Sequence, residues 1–164
     1  MQKVIVVGPS GAGKSAFSRN LGSLLDLPVT HLDNVYWNHD RTHISPEEFD
    51  ERLEELLRGD KWILDGDYSR TYERRIVACD TVFFLDYPLD TCLEGAARRV
   101  GIKRVDLPWV PDEFDADFEL SIRRWDDKNH ETLMGLLERY SEGRNIIIFH
   151  SRQEGDAYLS SLRK

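Results

Sequence analysis

Short runs of β-branched and aromatic residues recur along the chain, separated by stretches in which apolar residues return at helical spacing. The runs are residues 3–7 (KVIVV), 28–32 (PVTHL), 61–65 (KWILD), 81–86 (TVFFLD) and 145–149 (NIIIF). Each is nearly continuous in apolar character, the pattern of strands covered on both faces. After Gly13, residues Phe17, Leu21, Leu24 and Leu25 follow the i, i+4, i+7, i+8 spacing of one helix face. A second helix opens at Ser45-Pro46-Glu47-Glu48, which supplies an N-cap, a first-turn proline and a glutamate placed for reciprocal capping. Phe49, Leu53, Leu56 and Leu57 form its apolar stripe, and Gly59 offers a stop. Leu89, Cys92, Leu93, Ala96, Ala97 and Val100 mark a further helix, and Ser151 with Glu154 caps a last one carrying Tyr158 and Leu162. Strands alternating with helices predict an α/β domain around a parallel sheet. Residues 101–117 break the rhythm with Pro108, Trp109, Pro111 and several acids, and read as a long loop or lid.

Composition narrows the function classes. At 164 residues the chain is expected to form one domain, residues 1–164, with enough core to fold without staples. Its formal charge of −8 argues against a nucleic-acid coat, direct duplex binding or a membrane-surface role, all of which draw on excess positive charge. The opening apolar run is too short for a signal peptide and no window reaches a membrane span, so a cytoplasmic location is expected. The two cysteines, Cys79 and Cys92, suggest neither a disulfide framework nor a zinc site. Arginine outnumbers lysine 16 to 6, and eight arginines lie between Arg70 and Arg124. Arginine is favoured where planar oxyanions are gripped by paired hydrogen bonds, so a local phosphate pocket is compatible with the acidic total.

One motif carries specific chemistry. Gly8-Pro9-Ser10-Gly11-Ala12-Gly13-Lys14-Ser15 matches G-x-x-x-x-G-K-[ST] at every specified position, between a strand and a helix. Glycines let the backbone curl so that the amides from Gly8 to Ala16 face phosphate oxygens, and the helix beginning at Gly13 adds its positive end. Lys14 reaches the terminal phosphates of a nucleoside triphosphate, and Ser15 can ligate magnesium.

Magnesium on a nucleotide calls for a carboxylate at a neighbouring strand end, and Asp65 and Asp86 both qualify. The pattern alone does not choose between them; the polar run Gly66-Asp67-Tyr68-Ser69-Arg70 favours Asp65, while Asp86 suits the cap of the following helix. Asp33, at the end of the second strand, is placed to face an acceptor hydroxyl or a magnesium water. Tyr36 and Trp37 beyond it are candidates to stack on a flat ligand. Phosphoryl transfer needs positive donors around the migrating group. Arg98, Arg99, Lys103 and Arg104 lead into the lid-like segment and Arg123 and Arg124 follow it; Arg99 and Arg123 are the leading candidates. Arg70, Arg74 and Arg75 are candidates for an acceptor phosphate.

GPSGAGKS, HLDNVYW, WILDGDYS and DTVFFLDYP, in that order and spacing, resemble the adenylate-kinase-related family of DNA topology modulation proteins, with specific motifs to about Asp90 and a looser match beyond. The resemblance implies a three-layer P-loop kinase fold: a five-stranded parallel sheet in the order 2-3-1-4-5, helices on both faces and a short lid. It also implies that Asp65 lies near magnesium waters and that Arg70 grips an acceptor phosphate. Gly95 stands where the family's lid helix carries an arginine, while Arg99 keeps the second such position. Asp67 departs from the adenylate-kinase acceptor signature and fits an AMP phosphate poorly. The leading expectation is an enzyme that uses ATP and Mg2+ to phosphorylate a nucleotide or small molecule. The alternatives are a nucleotide-binding regulatory protein or a plain NTPase.

Overall fold

The computed structural model describes residues 1–163. Five strands, β1 (Lys3–Val7), β2 (Val29–His31), β3 (Trp62–Asp65), β4 (Thr81–Leu85) and β5 (Asn145–Phe149), form one parallel sheet in the order β2-β3-β1-β4-β5. This is the order that the family resemblance implies. Eight helices surround it: α1 (Lys14–Leu25), α2 (Leu32–Tyr36), α3 (Pro46–Leu57), α4 (Tyr72–Ala78), α5 (Leu89–Ala97), α6 (Ala116–Arg123), α7 (Glu131–Arg139) and α8 (Arg152–Ser161). A 3-10 turn, Ser69–Thr71, leads into α4, and a π-helical turn, Asp126–His130, joins α6 to α7.

Alternate residues of each strand enter different cores. Ile5, Val7, Leu64, Val82 and Phe84 pack with residues of α3, α4 and α7, whereas Val4, Val6, Ile63, Phe83 and Leu85 pack with residues of α1, α5, α6 and α8. Because both faces are buried, the central strands lack polar alternation, which is why they read as unbroken apolar runs.

Local differences from the expected elements have physical reasons. β2 spans only three residues because Leu32 opens α2 at once, so Asp33 lies in a helical first turn rather than at a strand end. Ser45 Oγ accepts from the Glu48 amide at 3.1 Å, but the Glu48 carboxylate pairs with Arg52 one turn on rather than folding back to close the capping box. Helix α5 stops at Ala97, leaving Val100 outside it. Asp86 caps nothing: Pro88 is the N-cap of α5, and the Asp86 carboxylate faces His130 Nε2 at 3.2 Å and His150 Nδ1 at 3.5 Å.

The sheet order reverses at β1, whose neighbours on either side are β3 and β4. Open α/β sheets place their ligands beyond the carboxyl ends of strands at such a point. The glycine loop after β1 and Asp65 at the end of β3 emerge there side by side, since Val6 is registered opposite Asp65.

Candidate active site

The loop from Gly8 to Gly13 turns back on itself through positive φ values at Gly8, Gly11 and Gly13. At Gly11 (φ +84°) a Cβ would stand 1.8 Å from the Cys92 carbonyl oxygen, so the loop can pack onto α5 only without a side chain there. Gly95 is the other half of this contact. A Cβ at Gly95 would stand 2.2 Å from the Gly11 carbonyl oxygen and 2.6 Å from Nη2 of Arg152. Arg152, the first residue of α8, donates from Nη2 to the Gly11 carbonyl at 2.9 Å and from Nη1 to that of Ala12 at 3.4 Å. A guanidinium thus stands beside the loop although position 95 is glycine. Gly95→Ala is expected to shift the loop and weaken nucleotide binding by about tenfold to a hundredfold, as roughly 1 Å misplacements do. Calorimetric titration with ADP measures this.

Lys14 Nζ donates to the carbonyls of Gly8 at 2.8 Å and Pro9 at 2.9 Å, which holds the ammonium inside the curl. Burial lowers its pKa, with the Asp67 carboxylate the chief opposing influence. The Ser15 hydroxyl faces two carboxylates, Asp106 Oδ2 at 2.8 Å and Asp65 Oδ1 at 3.3 Å. Buried His31 contacts Asp65 Oδ2 through Nδ1 and orients that carboxylate. Of the two strand-end candidates, Asp65 is therefore the one beside Ser15.

Two clefts meet at Ser15, Arg99 and Asp106. The first, of about 170 Å³, is lined by Ser10, Asp33, Asp65, Asp67, Tyr68 and Asp106, with Lys14 and Arg99 as its cations. Asp33 accepts from the Tyr68 hydroxyl at 2.6 Å, and burial raises its pKa. Asp67 accepts from Tyr72 and, at 2.7 Å, from Trp125 Nε1. The second cleft, of about 300 Å³, runs past Gly11, Gly13, Ser15 and Ala16 and carries Arg19, Arg98, Arg99, Arg104 and Arg152 against the single acid Asp106. Arg99 borders both clefts and makes no side-chain hydrogen bond or ion pair among the described residues. One wall therefore suits a polyphosphate and the other a hydroxylated or metal-bearing group.

The expected lid is a stretch without helix or strand from residue 98 to 115. It is suspended across the mouth by its own backbone. Asn34 Nδ2 donates to the Val105 carbonyl at 2.7 Å, His39 Nδ1 to that of Pro108 at 2.8 Å, and Arg41 Nη2 to that of Val110 at 3.3 Å.

Arg123, Trp37 and Arg70, all expected at the site, line neither cleft. Arg123 is half-exposed on α6, where Glu119 one turn earlier takes its guanidinium at 2.7 and 3.0 Å. Trp37 stands edge-on to Tyr36, His43 and the lid's Trp109 at the outer rim, so its ring edges and faces are engaged by other side chains. Arg70 makes a two-pronged pair with Asp50, at 2.8 and 2.9 Å, and Arg74 joins the same carboxylate at 2.7 Å. The Arg70 hydrogen bond, with Arg74 behind it, pulls the Asp50 carboxyl from 3.8 down to about 2. A depressed folded-state pKa stabilises the protein above the unfolded value, and that contribution is lost as pH falls from 3.8 through about 2. In an Arg70→Ala protein, a carbon-13 titration should find Asp50 moved up toward 3.8.

No protein-family model and no curated protein matches the chain. Solved structures do. A shikimate kinase from Acinetobacter baumannii in complex with shikimate aligns over 99% of this chain and 90% of its own, with a TM-score of 0.64 and 18% identity. A shikimate kinase from Bacteroides thetaiotaomicron covers 98% and 95%, with a TM-score of 0.57 and 16% identity. A sugar kinase from Janibacter sp. covers 98% and 91%, with a TM-score of 0.56 and 16% identity. The fold is that of the P-loop kinases.

Magnesium fits the donors present. Ser15 and Asp65 offer hard oxygen atoms. Among the described residues no three His, Cys, Asp or Glu side chains are placed to hold a metal ion.

Proposed function

We propose that the protein is a Mg2+- and ATP-dependent phosphotransferase acting on a small hydroxylated acceptor. The observation that carries this reading is the meeting, at Ser15 and Arg99 beside Lys14, of an arginine-lined groove with an acid-lined cleft. The polyphosphate of ATP lies along the glycine loop, with Lys14 on its β and γ phosphates. Ser15 and Asp65 hold magnesium, which supplies charge neutralisation when bound. Arg99 faces the migrating phosphoryl from the junction of the clefts. Asp33, a half-buried carboxylate with raised proton affinity, accepts the proton of the acceptor hydroxyl as its oxygen bonds to the γ phosphorus and ADP departs. The fold likeness to kinases of shikimate and of sugars supports a small hydroxylated acceptor. The arginines that follow β3 are engaged elsewhere, since Asp50 occupies Arg70 and Arg74, while Arg75 spends its guanidinium on Thr71 and the carbonyls of Gly66, Asp67 and Tyr68, so a charged group on the acceptor would have to be met by other residues.

A coupled ADP-release screen over polyols, sugars, nucleosides and nucleoside monophosphates tests this. ADP release that depends on a hydroxylated acceptor supports the reading; release at the same rate with every acceptor withheld identifies an NTPase.

A further inference from the structure

The lid carries a carboxylate onto the floor of the cleft. Asp106 is 4% exposed, whereas the adjacent Val105 is 67% exposed. Its Oδ2 accepts from the Ser15 hydroxyl at 2.8 Å and from Arg104 Nη2 at 2.9 Å. Asp65 Oδ1 lies 3.3 Å from that same hydroxyl oxygen. Magnesium binds oxygen at about 2.0–2.1 Å in an octahedron, so neighbouring ligand oxygens stand about 2.9 Å apart. The two separations around Ser15 Oγ are thus those of adjacent corners of one coordination shell.

We propose that Asp106 is a second carboxylate for nucleotide-bound magnesium, supplied by the lid, so that metal loading and lid closure are one event. This rests on the magnesium-nucleotide reading of the cleft. Asp65 comes from the sheet and Asp106 from a loop more than 40 residues later, so a shell containing both ties the lid to the core. Arg104 shares Oδ2 with Ser15; once a cation takes that oxygen, its guanidinium is left to donate to phosphate in the arginine-lined groove. The rival reading makes Asp106 a latch that covers Ser15 and repels any polyphosphate.

The two readings separate on the full chain with ADP as the probe and Mg2+ titrated. Asp106→Asn keeps the size of the side chain and an acceptor for Ser15 and Arg104 while removing the charge. The Mg2+ concentration giving half of the ADP-dependent rise in Tm should increase about tenfold or more. Metal-free ADP should bind that variant as well as, or better than, wild type, and Asp106→Glu should recover part of the metal response. In wild-type protein, amide exchange across residues 104–112 should slow with Mg2+ and ADP relative to ADP alone, a readout that needs no variant. An unmoved Mg2+ midpoint with equal tightening of metal-free and metal-loaded ADP, or faster exchange of the lid with either ligand, overturns the proposal in favour of the latch. Absence of any ADP-dependent rise in Tm in wild type, with and without Mg2+, overturns the nucleotide reading and this proposal with it.

Discussion

Replacing Lys14 with alanine is expected to lower acceptor-dependent ADP release by about a hundredfold to a thousandfold, the usual loss when a preorganised charge facing the migrating group is removed. The protein should stay folded. The ammonium is buried, and burial already disfavours its charged form, so its removal relieves a desolvation cost while giving up two hydrogen bonds to Gly8 and Pro9. Those carbonyls belong to a loop bordering open clefts, where water can replace the lost donor. Thermal melting establishes folding and the coupled assay measures rate. A Lys14→Ala protein that melts like wild type and turns over at the wild-type rate would refute the assignment of this loop to the phosphates.

Arg75→Met is expected to be the most damaging single change to stability. Arg75 is fully buried, yet its guanidinium is spent entirely on the protein: it donates to Thr71 Oγ1 and Gly66 O, each at 2.9 Å, to the Asp67 carbonyl, and to that of Tyr68 at 3.4 Å. These bonds fasten the turn after β3, which carries Asp67 and Tyr68 into the first cleft. Methionine fills similar space but leaves three carbonyls without this donor and the Asp67 carboxylate without its neighbouring positive charge. Breaking such a buried arrangement costs about 3–5 kcal/mol. For a domain of this size that corresponds to a fall of roughly 6–20 °C in Tm. Lysine is not expected to rescue it, because one ammonium cannot reproduce a fork aimed at several carbonyls. A melting temperature within about 2 °C of wild type would rule out this bracing role.

Residues whose environment is set by near neighbours in sequence were legible without coordinates. β1 and β4 read as strands because both faces of the sheet are covered there, and the glycine loop could be placed between β1 and α1 because all its parts are contiguous. Arg123 was expected beside the migrating phosphoryl, but the structure pairs it on the surface with Glu119 one turn earlier. Asp106, Arg152 and His31 were not legible as site residues. Each gains its position from a tertiary return: the lid folding back 91 residues beyond Ser15, α8 meeting the loop 141 residues beyond Gly11, and β2 lying next to β3. The one signal available for Asp106 was an acid inside an arginine-flanked loop. Gly95 looked like a loss of a positive charge, and only packing shows that the loop needs the space and that Arg152 stands beside it.

Beside the side-chain pairs of Asp106 with Ser15 and of Asp112 with Arg41, the lid is held through the carbonyl oxygens of Val105, Pro108 and Val110. Every residue type has that oxygen, so the side chains at Val105 and Val110 can change without loosening the three attachments. A change of side chain at either position therefore alters what the segment presents to its surroundings while the backbone stays held at the same three points.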